Sequence, residues 1–311
     1  MCTLIVLHRC VPGRPLVVAA NRDEFLDRPA EGMRLRSSRT GPIVAPLDLE
    51  AGGSWVGLSG RNVFVGLTNL RSASEPSVVL EPNRNLRSRG EVVMMALEAE
   101  SAAQASQMLL ALEAETFNPF QLLVADGQDA WLLVYRGKAR ALQLEPGPHI
   151  VGNVVDERIE AALGDASMNQ SESLDSESRT RKLTRIRERV EKLMTESSPD
   201  LFEGLAGICR EHVETDSTGL PELEGRIERE GSGPSGHPGG SGHSPFESTC
   251  VHVADRYGTR SSLLLELSAD PDANRLWTTD GPPCERPYVN RSSLLRELGV
   301  RQSSWTETVT A

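Results

Sequence analysis

The chain has 311 residues, 38% of them apolar, enough to bury a large core as one elaborate domain. A formal charge of -11 and a pI near 5.2 exclude the clustered basic surface that nucleic acid or an anionic membrane requires. Five cysteines, Cys2, Cys10, Cys209, Cys250 and Cys284, are scattered without C-x-x-C spacing, which argues for reduced thiols in a cytosol and against a disulfide framework or zinc.

The opening apolar run is interrupted by His8, Arg9 and Arg14, so it is too short for a secretory signal, and no stretch approaches the ~20 residues of a membrane span. The reading is a cytoplasmic protein with no integral membrane segment. Thr3 to Arg9 and Pro15 to Asn21 are apolar and rich in branched residues, and Pro12-Gly13 between them predicts a hairpin. A turn centred there sets Cys2 opposite Asp23 and Thr3 opposite Arg22, with room for a slip of a residue or two. A second hairpin is predicted at Gly53 to Leu58 and Asn62 to Thr68, closing on Asn69. Three further strand pairs follow: Phe120 to Ala125 with Ala130 to Arg136, Ala139 to Leu144 with His149 to Val154 about Pro146-Gly147, and Thr249 to Ala254 with Thr259 to Leu267. Helical patterns cover Gly90 to Glu100, Ala102 to Glu115 with Ser101 as N-cap, Asp156 to Leu163, Arg179 to Glu196, and Ser198 to His212 opened by Pro199. The order is mixed α+β, without the regular alternation of a doubly wound fold. Residues 164–178 and 231–244, rich in Ser, Gly, Pro and charge, read as surface insertions in a single domain covering 1–311.

Removal of Met1 would make Cys2 an N-terminal nucleophile whose own α-amine, with a reference pKa of about 7.7 to 8.0, serves as base. Taken alone, Cys2 reads as an inert buried thiol at a strand start; the plain alternatives for the others are a structural ion pair of Arg22 with Asp23 and strand-ending roles for Asn69 and Asn153. Trp55 reads as a core aromatic. His237 and His243 in the Gly/Ser/Pro run, and Cys250 with His252 at strand spacing, are not read as metal ligands, and no cofactor is expected.

Met1-Cys2, Asn21-Arg22-Asp23-Glu24, Gly52-Gly53-Ser54-Trp55, Gly66-Leu67-Thr68-Asn69, Ser88-Arg89-Gly90, Asn118-Pro119-Phe120 and Tyr257-Gly258-Thr259-Arg260-Ser261-Ser262 form an ordered set. Together they resemble the NRDE family, the transport and Golgi organisation type. The resemblance implies an N-terminal nucleophile hydrolase fold, a four-layer αββα sandwich of two antiparallel sheets. More distantly the chain is similar to cysteine amidases that cleave conjugated bile salts and penicillin V. By that similarity Cys2 matches the nucleophile, Asp23 the aspartate, Asn69 and Asn153 the two asparagines and Arg260 the late arginine; Arg22 departs in spacing from the first arginine, being adjacent to Asp23.

The implied activity is hydrolysis of a non-peptide carbon-nitrogen bond in a small-molecule acyl amide. The competing reading is a non-catalytic protein on the same fold, handling a lipid or haem ligand, with Golgi organisation and haem trafficking as the associated roles.

Overall fold

The computed structural model describes residues 2–70, 83, 85–164, 174–195, 200–214 and 243–299. In these the strands are β1 Cys2–Val11, β2 Arg14–Phe25, β3 Ala30–Ser38, β4 Gly41–Asp48, β5 Val56–Ser59, β6 Phe64–Asn69, β7 Phe120–Ala125, β8 Ala130–Tyr135, β9 Ala139–Leu144, β10 Gly147–Val151, β11 His252–Val253, β12 Tyr257–Leu267, β13 Arg275–Asp280 and β14 Val289–Asn290. The helices are α1 Arg89–Ala96, α2 Ala102–Leu110, α3 Glu157–Ala162, α4 Leu174–Thr195, α5 Leu201–Arg210 and α6 Ser293–Leu298.

Two antiparallel sheets result. The first runs β10-β1-β2-β12-β13-β14 with β11 added to β12, and the second runs β3 through β9 in sequence order. Period-2 alternation explains why they stack: Leu4, Val6, Val18 and Ala20 of the first sheet meet Val44, Val56, Phe64 and Leu123 of the second in one inner core. The opposite faces are apolar too and are covered by helices. Ile5, Leu7, Val17 and Ala19 pack against Ile186 and Val190 of α4 and Phe202 and Leu205 of α5. Val65, Leu122 and Leu133 pack against Val93 of α1 and Leu109 of α2. The architecture is therefore the αββα sandwich.

Capping fixes the helix starts. Ser101 accepts from the Gln104 amide at 3.1 Å as the sequence predicts, and Ser88, Asp156 and Asp200 cap α1, α3 and α5. The predicted helix from Arg179 begins earlier, so Leu174 to Ser178, assigned by sequence to an insertion, form its first turn. Residues 165–173 and 231–242 of the two expected insertions, His237 among them, lie outside the described residues, as do Met1, Ser198 and Pro199.

Two pairings differ from expectation. Between His8 and Val11 the β1–β2 ladder carries a bulge, with Arg9 at φ 51°, so Cys2 faces Arg22 and Thr3 faces Asn21. One extra residue in one strand moves the register by one, which places Arg22, not Asp23, beside the thiol. The segments flanking Pro146-Gly147 do not form a hairpin. β9 pairs with β8 in the second sheet, whereas β10 pairs with β1 in the first, so the chain crosses between layers there.

Candidate active site

Side-chain alternation sorts the predicted residues onto two faces. Cys2 lies on the inner face with Leu4 and Val6, and along β2 Arg22 and Glu24 continue the inner row of Val18 and Ala20. Asn21 and Asp23 take the outer face, where Asn21 donates from Nδ2 to the carbonyls of Cys209 and Thr249, each at 2.9 Å.

A cleft of about 1010 Å³ opens between the sheets at the Cys2 end. Cys2, Arg22, Asn69 and Arg260 all line it. Asp23 and Asn153 do not; they line a small hollow on the other side of the sheet with Thr3 and Lys182. Asn153 reaches the site indirectly, donating from Nδ2 to the main-chain carbonyl of Asn69 at 2.7 Å. The loop that carries it is held by Gln121, whose Nε2 donates to the carbonyls of Gly152 and Val154 at 2.9 and 3.0 Å.

Arg260 owes its position to a second bulge. The β2–β12 ladder pairs Asp23 with Thr259 and Arg22 with Ser261, leaving Arg260 as the extra residue. The bulge turns Thr259 outward, where its hydroxyl donates to Asp23 Oδ1 at 2.7 Å, and lets Arg260 line the cleft. Its Nε is buried with no hydrogen-bond partner among the described residues.

The electrostatics are dominated by arginine. Arg22 Nη2 lies 3.6 Å from both Glu24 Oε2 and Asp48 Oδ2, and Arg28 Nε lies 2.8 Å from Asp48 Oδ2. Arg89, the first residue of α1, reaches the same cleft, and burial lowers its pKa to about 10 against the pull of Glu24 and the Cys2 sulfur. From α4, Arg179 lies over the Phe246 ring at 5.5 Å, and burial likewise holds it near 10. Burial pushes the Cys2 thiol up to about 11; the terminal ammonium and Arg22 draw it down, and Asp23 and Glu24 raise it further. On the outer face Lys182 Nζ lies 3.5 Å from Asp23 Oδ2, and burial lowers its pKa. Arg89, Arg179, Lys182 and Gln121 were not singled out from sequence as site residues. Arg89 does stand in the Ser88-Arg89-Gly90 motif, and the turn Gly52-Gly53-Ser54-Trp55 packs against it, with the Ser54 amide donating to the Gly90 carbonyl at 3.2 Å.

With the ordered motifs thus gathered around one cleft, the family comparison is decisive: the sequence model described as Transport and Golgi organisation 2 matches residues 1–275. The chain belongs to that family. The Transport and Golgi organization protein 2 homolog of Bos taurus is 32% identical over 150 residues, 45% of this chain and 51% of that protein. The Mus musculus homolog is 30% identical over 149 residues with the same coverage. This member of the family thus spans about half the length of the curated relatives it matches. Among solved structures, a variant of the conjugated bile acid hydrolase from Clostridium perfringens aligns at a TM-score of 0.50 and 9% identity, covering 94% of this chain and 93% of that one. That likeness carries the fold alone, that of N-terminal nucleophile hydrolases. No described helix is long and apolar enough to cross a membrane.

Proposed function

We propose that this family member is a cytosolic N-terminal cysteine hydrolase that cleaves the amide bond of a small acyl amide after Met1 has been removed. The observation that carries the reading is that Cys2 lines one cleft with Asn69, Arg22, Arg89 and Arg260. The α-amine of Cys2 takes the thiol proton, the thiolate adds to the amide carbonyl carbon, and the carbon-nitrogen bond breaks as the amine leaves with that proton. Water then hydrolyses the thioester, returning the thiol and releasing the acid. The Asn69 side-chain amide is the donor for the developing oxyanion, a contribution of about 3 to 4 kcal/mol where such donors have been removed. Arg22 and Arg89 favour the thiolate by their charge. Asp23, on the outer face beside Lys182 and Thr259, is the carboxylate assigned to hold the Cys2 ammonium. Asn153 acts through Asn69, as a positioning residue. Trp55, Leu67 and Leu294 offer apolar wall to an acyl chain, and the Arg260 guanidinium at the cleft suits an anionic substituent.

The test begins with the intact mass of the protein made in its native cytosol, followed by a thiol-directed covalent probe and mapping of the adduct. Loss of Met1 together with labelling that Cys2→Ala abolishes is the expected result. A retained Met1, or a Cys2 that stays unlabelled while other thiols react, sinks the amine-base mechanism.

One observation favours a second reading for a chain that keeps Met1. Burial holds the Cys2 thiol protonated, near 11, which disfavours the nucleophile, and the alternative role for the same cleft is binding of a lipid or haem ligand, in keeping with Golgi organisation or haem trafficking. Equilibrium binding of such ligands to Cys2→Ala with undiminished affinity is the result that would favour it.

A further inference from the structure

Four side chains that the proposed hydrolysis does not use meet at the edge of the first sheet. His212 follows α5, Cys250 and His252 belong to the segment that enters β11, and Cys284 lies in the turn between β13 and β14. One ligand atom from each, two sulfurs and two imidazole nitrogens, lies within 4.8 Å of all the others. Cys250 Sγ is 3.5 Å from Cys284 Sγ and 3.6 Å from His252 Nε2, and His252 Nε2 is 3.3 Å from Cys284 Sγ. Both cysteines are free thiols.

The three separations among Cys250, Cys284 and His252 are close to tetrahedral edges. With Zn–S of about 2.3 Å and Zn–N of about 2.0 to 2.1 Å, tetrahedral angles set sulfur-sulfur edges near ~3.8 Å and sulfur-nitrogen edges near ~3.5 Å. His252 also turns Nδ1 toward Glu285 Oε1 at 3.9 Å, leaving Nε2 on the side of the two sulfurs.

We propose that His212, Cys250, His252 and Cys284 form a closed Cys2His2 site for one zinc ion. Two thiolates and two imidazoles gathered within 4.8 Å select zinc over magnesium or calcium, which take oxygen donors. Binding releases two thiol protons to water, and the two thiolates balance the charge of the ion, so the assembled site is neutral. With all four positions taken by protein, the ion's role is structural. It fastens the end of α5, β11 and the turn at 281–286 to one another. That turn is bonded to the site strand, since the Gly281 amide donates to the Arg260 carbonyl at 2.9 Å. The other side is joined through Thr259, whose hydroxyl accepts from the Val251 amide at 2.8 Å and donates to Asp23. Zinc therefore braces the bulge that presents Arg260.

The full chain, expressed with zinc in the medium and purified without chelator, is assayed for bound metal by elemental and native mass spectrometry. About one zinc per chain is expected, dropping at least about tenfold in Cys284→Ser and in His212→Gln, both at the surface, with circular dichroism unchanged, and remaining in Cys2→Ala. Cobalt substitution is expected to give the visible absorption of a tetrahedral ion with two thiolate ligands, lost in Cys284→Ser. The proposal is overturned if zinc stays below about one-tenth per chain after incubation with the metal, if Cys284→Ser retains it, or if Cys2→Ala loses it. A mass two hydrogens light with Cys250 linked to Cys284, unchanged by zinc under reducing conditions, overturns it equally.

Discussion

The side-chain amide of Asn153 donates across 2.7 Å to the main-chain carbonyl of Asn69, tying the loop after β10 in the first sheet to the end of β6 in the second. The two asparagines thus have separable tasks: Asn69 presents its side chain to the cleft, and Asn153 holds the backbone that presents it.

Replacing Asn153 by Ala removes a buried donor and leaves the Asn69 carbonyl unsatisfied, a loss of about 1 to 3 kcal/mol of unfolding free energy in chemical denaturation. Asn69→Ala, by contrast, is expected to lower turnover of an acyl amide by about 10²- to 10³-fold while changing stability by less than about 0.5 kcal/mol. Equal stability losses in the two variants would contradict the division of labour.

The pH dependence of thiol labelling reports on burial. With the Cys2 thiol pushed up to about 11, its alkylation in a chain that keeps Met1 is expected to rise about tenfold per pH unit from pH 8 until near pH 11, because only the thiolate reacts. In protein stripped of metal, exposed Cys284 should label well before it at pH 8. Peptide mapping of a time course measures both, and a Cys2 rate already level at pH 9 contradicts the assignment.

His8, fully enclosed and with Nε2 3.2 Å from the Asp126 carbonyl oxygen, has its pKa lowered to about 4 by burial. The unfolded chain takes up a proton near pH 6.5 that the folded chain refuses, so this stabilisation is complete above pH 6.5 and is lost as pH falls toward 4. Between pH 6.5 and 5 the loss is about 2 kcal/mol. Urea unfolding of His8→Gln, compared with the parent at both pH values, is expected to show a shallower decline by that amount.

Gly53 sits at φ +78°, and a Cβ there would lie 2.4 Å from the backbone carbonyl carbon of Gly90. Neither strand of contact is able to yield, since both sides are backbone. Gly53→Ala is therefore expected to cost about 2 to 4 kcal/mol and to push the start of α1, with Arg89, away from Cys2. The combined signature is a lower melting temperature and slower Cys2 labelling; a variant as stable as the parent would refute the close approach.

The convergence of Cys2 with the Asn21-Arg22-Asp23-Glu24 segment was legible because a hairpin is local, and two strands and one turn suffice to bring its ends together. Its register was not, because a bulge at Arg9 leaves no mark in an apolar alternation. β3 and β4 escaped notice for a related reason: β3 is an edge strand with Arg34 and Arg36 and little buried surface, so it lacks the apolar run that announces a strand. The crossing after β9 was equally hidden, since β10 has the composition of a hairpin partner and only the open edge of β1 decided where it went.

The sequence by itself determined the α+β class, the Ser101 helix cap and the membership signalled by ordered motifs, all properties of short segments with strong local signals. Only the tertiary structure decided which residues share a space. Arg89 from α1 and Arg179 from α4 enter the cleft from opposite layers, and Asp23 turns away from it toward Lys182. His212, Cys250, His252 and Cys284 become neighbours because α5, β11 and the turn after β13 end at one edge of the first sheet. Burial, ion pairing and metal-ligand geometry depend on distances between segments far apart in the chain, and those distances are set by how the two sheets and their helices stack.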